Sequence, residues 1–145
     1  MPLQEHPMAK ILIADESEIA RNTLAEELTA AGHEVVKAGK YHEAAEALEK
    51  SIRVTDKNRK AFDLICLAPY LSDRSGVYTL FRIRDQPFLI RARVLGAIID
   101  KNVWRDIDER NTHLNFRRTE KQRREGQPEY VWNLKDVLKF LPSPA

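Results

Sequence analysis

The feature that most constrains this sequence is the alternation of short apolar runs with longer amphipathic segments. The apolar runs predict strands at residues 10–14, 34–38, 62–68, 93–99 and 129–132. The first run, Lys-Ile-Leu-Ile-Ala, is apolar along nearly its whole length and not only at every second residue. That pattern is typical of a parallel strand that is covered on both faces. The alternation therefore predicts an α/β fold, a doubly wound five-stranded parallel sheet with helices on both faces.

Local signals indicate where the helices between these strands begin and end. Ser17 is a predicted N-cap of the first helix, and Gly32 suits the left-handed position that ends it. Further helices are predicted at residues 41–50 and 77–84, the second of them followed by a proline breaker. Asn133 is predicted to cap the last helix.

Composition limits the class of protein. The chain has 145 residues, of which 43% are hydrophobic and 32% charged, and its net charge is +2. We expect a flexible leader at residues 1–8 and a single domain over residues 9–145. The one cysteine, Cys66, excludes an intramolecular disulfide framework, and its apolar neighbours predict burial. Since no segment resembles a signal peptide or a membrane span, we expect a cytoplasmic protein that does not insert into membranes.

The segment from residue 101 to residue 127 is atypical because it is strongly charged. The sequence predicts mostly helix and charged loop for this segment. Within it, residues 115–125 carry five positive and two negative charges. These charges could contact nucleic acid or an acidic partner. The alternative is a solvated helix face with local ion pairs, such as Glu120 with Arg124.

Three motifs occur in order along the chain: residues 11–17 with Arg21, residues 62–68 with Leu71 and Gly76, and residues 84–87 running into residues 94–97. With this spacing they resemble the motifs of the receiver domain of bacterial response regulators, which has a flavodoxin-like fold. Asp15 and Glu16 resemble the acidic pair that follows the first strand of that family. The resemblance implies a CheY-like domain of a two-component signalling system.

The sequence departs from the receiver pattern at the positions that carry its chemistry. Ala68 stands where the family has its phosphate-accepting aspartate, and Ile98 stands where it has a hydroxyl switch residue. The family's lysine after strand five falls on Tyr130 or Asn133, depending on register. A methyl group can neither attack phosphorus nor bind Mg²⁺. The resemblance therefore implies a degenerate pseudo-receiver with a vestigial pocket formed by Asp15, Glu16, Ala68 and Ile98.

The remaining polar residues form no recognisable active site. Two carboxylates, Asp15 and Glu16, are a weak site for Mg²⁺, an ion that keeps its waters and demands octahedral geometry. Asp73 is more typical of a turn than of a substitute phosphate acceptor. The histidines lack metal-ligand spacing; they are His6, His33, His42 and His113. We therefore expect no enzyme activity, no bound metal and no cofactor.

These observations favour a stand-alone module that acts by binding another signalling protein or a second copy of itself. The expected partner face has the arginines of the charged segment at its rim and Trp132 near its centre. Trp104 is expected to pack its helix onto the sheet. The arginines are Arg117, Arg118, Arg123 and Arg124. The alternative is a nucleic-acid-associated regulator that uses the basic segment 115–125.

Overall fold

The computed structural model describes residues 9–52, 62–73, 77–84, 93–98, 104, 115–126 and 129–141. The predicted leader at residues 1–8, Gly76 and most of the chain between residues 99 and 114 lie outside these described residues. The strands are β1 (Lys10–Ala14), β2 (Glu34–Ala38), β3 (Leu64–Leu67), β4 (Arg93–Ile98), β5 (Asn115–Glu120), β6 (Gln122–Arg123) and β7 (Tyr130–Val131). The helices are α1 (Glu18–Ala30), α2 (Tyr41–Ile52), α3 (Val77–Arg84) and α4 (Leu134–Phe140).

Five strands form a parallel sheet in the order β2-β1-β3-β4-β5. The chain passes from β1 to β2 on one side and then returns to place β3 on the other side of β1. The predicted doubly wound parallel sheet is therefore confirmed. In such sheets the carboxyl ends of the strands at the reversal point form a crevice, so the ends of β1 and β3 are where a functional pocket is expected.

Alternate residues of the central strands feed two separate cores, one on each face of the sheet. Ile11 and Ile13 belong to the core under α1 and α4. Leu12 and Ala14 belong to the core under α2 and α3. This two-sided burial explains why β1 is apolar along nearly its whole length.

The predicted caps of the helices are confirmed. Ser17 Oγ accepts the amide of Ala20 at 3.2 Å, which caps α1. Asn133 Oδ1 accepts the amide of Lys135 at 3.1 Å, which caps α4. Gly32 has a φ of 94° immediately after the C-cap of α1, a conformation that a side chain would strain.

The predicted position of the fifth strand is wrong. The fifth strand of the sheet is β5 (Asn115–Glu120), whereas residues 129–132 contribute only β7 to a separate two-stranded antiparallel pair with β6. The reason is that β5 is an edge strand. Among its side chains Phe116 and Thr119 are buried, while Arg117 and Glu120 are exposed. A strand of that kind lacks the continuous apolar run that identifies a central strand.

The interpretation of the charged segment as helix and loop is therefore wrong for residues 115–120 and 122–123, which are strands. Because residues 120 and 124 do not share a helix, the ion pair suggested between Glu120 and Arg124 does not form. Arg124 Nη1 instead lies 2.8 Å from Glu27 Oε1 on α1. The basic segment is thus tied to the body of the domain.

Candidate functional site

Asp15 follows β1 directly and is buried, with only 1% of its surface exposed. Its Oδ1 accepts the amide of Ser17 at 2.9 Å. Its Oδ2 accepts the indole N–H of Trp132 at 2.9 Å and lies 2.7 Å from the ammonium of Lys121. Arg21 donates to the backbone carbonyl of Asp15 at 2.9 Å, which fixes the turn into α1. Each carboxylate oxygen therefore already has a donor from the protein itself.

Lys121 is the first residue after β5, and its side chain is only 6% exposed. Its ammonium also lies over the ring of Trp132, 5.6 Å from the centroid. The placement of the family's lysine at Tyr130 or Asn133 assumed that the fifth strand of the sheet lies at residues 129–132. It is wrong because the fifth strand is β5. The strand that ends beside the pocket is β5, and the residue that follows it supplies a positive charge.

Ala68 lies at the carboxyl end of β3, beside Asp15. Its amide donates to the carbonyl of Ala14 at 2.8 Å, and the residue is buried. Ile98 ends β4 and packs against the core under α2 and α3. Glu16, the other member of the acidic pair, is exposed. The carboxyl edges of the three central strands thus present one carboxylate, one methyl group and one aliphatic side chain.

Cys66 adds no chemistry to this pocket. It is fully buried in β3, in the core under α1. Burial raises the pKa of the Cys66 thiol well above its ordinary value, and the negative charge of Asp15 raises it further. The thiol therefore stays protonated and behaves as a small apolar side chain.

Trp132, expected near the centre of the partner face, does not lie on an exposed face. The indole is 1% exposed and lies in the core under α1 and α4. Its N–H reaches Asp15, so the ring faces the pocket and not a partner. No sequence pattern predicts this contact, because Trp132 and Asp15 are 117 residues apart.

The four arginines of the expected partner face differ in their surroundings. Arg117 and Arg123 are exposed. Arg118 donates to the carbonyl of Trp104 at 2.9 Å, and Arg124 pairs with Glu27. The last two therefore also hold β5 and the segment after it to the rest of the domain.

Trp104 packs at the β4–β5 edge of the sheet. Its N–H donates to the carbonyl of Ala97 at 2.8 Å, and its ring meets that of Phe116 edge-on at 5.6 Å. A Cβ on Gly96 would lie 2.9 Å from the Phe116 ring and 3.0 Å from Trp104, so only glycine admits this contact. Trp104 has a φ of 65°. The helix that was expected around it lies outside the described residues.

Asp73 lies in the loop after β3 and caps the start of α2. Its carboxylate accepts the amides of Tyr41 at 2.5 Å and His42 at 3.2 Å. Desolvation raises the pKa of Asp73, but these amide hydrogen bonds outweigh it and leave the pKa below its usual value. This carboxylate is therefore engaged in holding the loop after β3 to the start of α2.

Two other kinds of feature, a metal centre and a membrane-spanning helix, can be assessed in the described residues. In that part of the chain, no group of three or more His, Cys, Asp or Glu side chains could hold a metal ion. No helix there is long and apolar enough to cross a membrane.

Comparison with known proteins gives a consistent fold. No protein-family model and no curated protein matches the sequence. The chain is 22% identical to the phosphorylated cyanobacterial phytochrome response regulator RcpA, with a TM-score of 0.65 over 92% of this chain and 88% of that one. For the chemotaxis response regulator CheY4 of Vibrio cholerae, the values are 21% identity, TM-score 0.63, and 92% and 95% coverage.

A third solved structure extends the likeness. The N-terminal domain of a response regulator receiver protein from Methanoculleus marisnigri JR1 is 20% identical, with a TM-score of 0.60 over 80% of this chain and 86% of that one. Identities this low establish a shared fold. The chain therefore has the CheY-like, flavodoxin-like fold of receiver domains.

Proposed function

We propose that this chain is a pseudo-receiver that takes no phosphate and acts in signal transduction by binding another protein. The observation that supports this most is Ala68. It stands at the carboxyl end of β3, beside Asp15. A phosphate acceptor at that point would need a nucleophilic oxygen, and the methyl group has none.

The contacts of Asp15 support the same proposal. Its carboxylate is engaged by Ser17, Lys121 and Trp132, so its charge is balanced within the protein. A phosphoryl group also needs a metal ion to neutralise charge in transfer. A carboxylate that is already paired with an ammonium is poorly suited to hold one. The proposal therefore includes no cofactor and no catalysis.

The proposed partner face is the basic surface around Arg117 and Arg123, with Arg118 and Arg124 at its inner edge. Arginine is enriched at protein interfaces and pairs well with carboxylates. The partner is proposed to be a signalling protein with an acidic surface, or a second copy of this chain. Trp132 is not included in this face because its side chain is buried.

We expect the double substitution Arg117→Glu/Arg123→Glu to weaken partner binding by slowing association. Both side chains are exposed, and rim charges act mainly on the association rate. The unmodified chain can capture its partner by affinity, after which association rates are compared by biolayer interferometry. Treatment of the chain with a small phosphodonor is expected to leave these rates unchanged.

Lys135→Glu/Lys139→Glu is the matched control, because both lysines are exposed on α4 and the change in net charge is the same. The control should bind more nearly as the unmodified chain does, and both variants should keep their thermal stability. Normal binding by the arginine variant would show that this surface does not contact the partner. Capture of nucleic acid, with an affinity that falls steeply with salt, would favour the alternative regulator.

A further inference from the structure

Residues 121–126 and 129–132 form a strap across the end of β1 and the side of α1. Four side chains of the strap make polar contacts with that region. Lys121 and Trp132 both contact Asp15 Oδ2, at 2.7 Å and 2.9 Å. Ser17 Oγ donates to Glu129 Oε2 at 2.7 Å, and Arg124 lies 2.8 Å from Glu27.

The strap has little internal structure to hold its shape. β6 and β7 are paired over only two residue pairs, Gln122 with Val131 and Arg123 with Tyr130. A two-stranded hairpin of this size is marginal in water without packing against something else. The strap therefore depends on its anchors, of which the most buried are Val131, Trp132 and the contact with Asp15.

The anchor at Asp15 fills the place where a divalent cation would bind. Receiver domains hold a metal at this acidic edge, and the residues here do not fit one. Oδ2 already faces an ammonium and an indole N–H, and both are donors that a cation would have to displace. A cation at the same oxygen would also be repelled by Lys121, whose side chain is shielded from solvent.

We propose that the strap is a built-in latch, in which Lys121 and Trp132 occupy the acidic pocket and exclude a divalent cation from it. Closing the strap and binding a cation are then mutually exclusive states of Asp15. By linkage, a change that frees Asp15 must loosen the strap, and a change that loosens the strap must free Asp15. The inference rests on the proposed function only in that Ala68 leaves Asp15 as the buried carboxylate of the pocket.

The latch is tested by Lys121→Met and Trp132→Phe, each compared with the unmodified chain. Methionine keeps the length and the apolar stem of Lys121 but removes the charge. Phenylalanine keeps most of the packing of Trp132 but removes the N–H. In hydrogen–deuterium exchange, peptides that cover the strap should exchange about tenfold faster in both variants, the size expected for losing a hydrogen bond to a charged group. Peptides from β1 and β3, which exchange only on global unfolding, should remain far slower than those of the strap in both variants.

Binding of Mn²⁺, measured by electron paramagnetic resonance without any other ligand, gives the second readout. Lys121→Met should bind Mn²⁺ about tenfold or more tightly than the unmodified chain, because the competing ammonium is gone. Lys135→Met, at an exposed lysine on α4, is the matched control and should change neither readout.

Strap exchange that is unchanged in both variants, or equal Mn²⁺ affinity in Lys121→Met and the unmodified chain, would overturn the latch. If Lys121→Met does not fold, exchange in Trp132→Phe decides alone. These measurements use no phosphodonor and no partner protein. The latch and the proposed function can therefore fail independently, because the proposed function is tested by other experiments.

Discussion

Replacing Asp15 with alanine is expected to lower the free energy of unfolding by about 3–5 kcal/mol, the usual cost of removing one partner of a buried ion pair. The substitution leaves the ammonium of Lys121, only 6% exposed, without its counter-charge. It also leaves the amide of Ser17 and the indole N–H of Trp132 without their acceptor. Urea denaturation followed by far-UV circular dichroism measures the difference.

Glu16→Ala is the matched control for this prediction. It removes the adjacent carboxylate, which is exposed, and its effect should stay within about 0.5 kcal/mol. The double variant Asp15→Ala/Lys121→Met should be less destabilised than the two single changes together, since no unpaired charge remains. Equal stability of Asp15→Ala and Glu16→Ala would show that the buried ion pair contributes nothing to the fold.

Replacing Trp132 with alanine is expected to cost about 3–5 kcal/mol, as for other large aromatic side chains removed from a core. The ring is buried under α1 and α4, and its loss opens a cavity beside Asp15 as well as removing a hydrogen bond. Trp132→Phe keeps most of the packing, so it should cost less, about 1–3 kcal/mol for the lost donor. The same denaturation measurement applies.

Tyr130→Ala tests whether any aromatic residue of the strap would behave in this way. Tyr130 is 57% exposed and lies two residues before Trp132, so its removal should change stability by about 0.5 kcal/mol or less. If Trp132→Ala were as mild as Tyr130→Ala, then Trp132 would not be a core residue in solution.

The sequence predicted the first four strands of the sheet, together with α2 and α3, to within two residues. For β1, β2 and α3 the predicted bounds are those of the structure. The three central strands, β1, β3 and β4, are apolar along nearly their whole length because both of their faces are covered. The edge strand β5 was not predicted because each of its faces has one buried residue, Phe116 or Thr119, among charged side chains such as Arg117 and Glu120.

The candidate site was predictable only where residues follow a strand directly. Asp15 and Ala68 were located from the ends of β1 and β3, two strands that the sequence marks well. Lys121 was missed because its place depends on β5. Trp132 was placed on the partner face because it ends the predicted fifth strand, and its actual acceptor is 117 residues away in the chain. No period marks β5 in the sequence, because its two buried residues, Phe116 and Thr119, are three apart and lie on opposite faces of the strand.

The most direct test of the central proposal is the intact mass of the unmodified chain after treatment with acetyl phosphate and Mg²⁺. A receiver with its acceptor aspartate intact, treated in parallel, shows that the reagent works. We predict no gain of phosphate by this chain, because Ala68 has no nucleophilic oxygen and Asp15 is held by Lys121 and Trp132. Addition of one phosphate to an aspartate of the chain, at Asp15, Asp73 or elsewhere, would contradict the proposal that it is a pseudo-receiver.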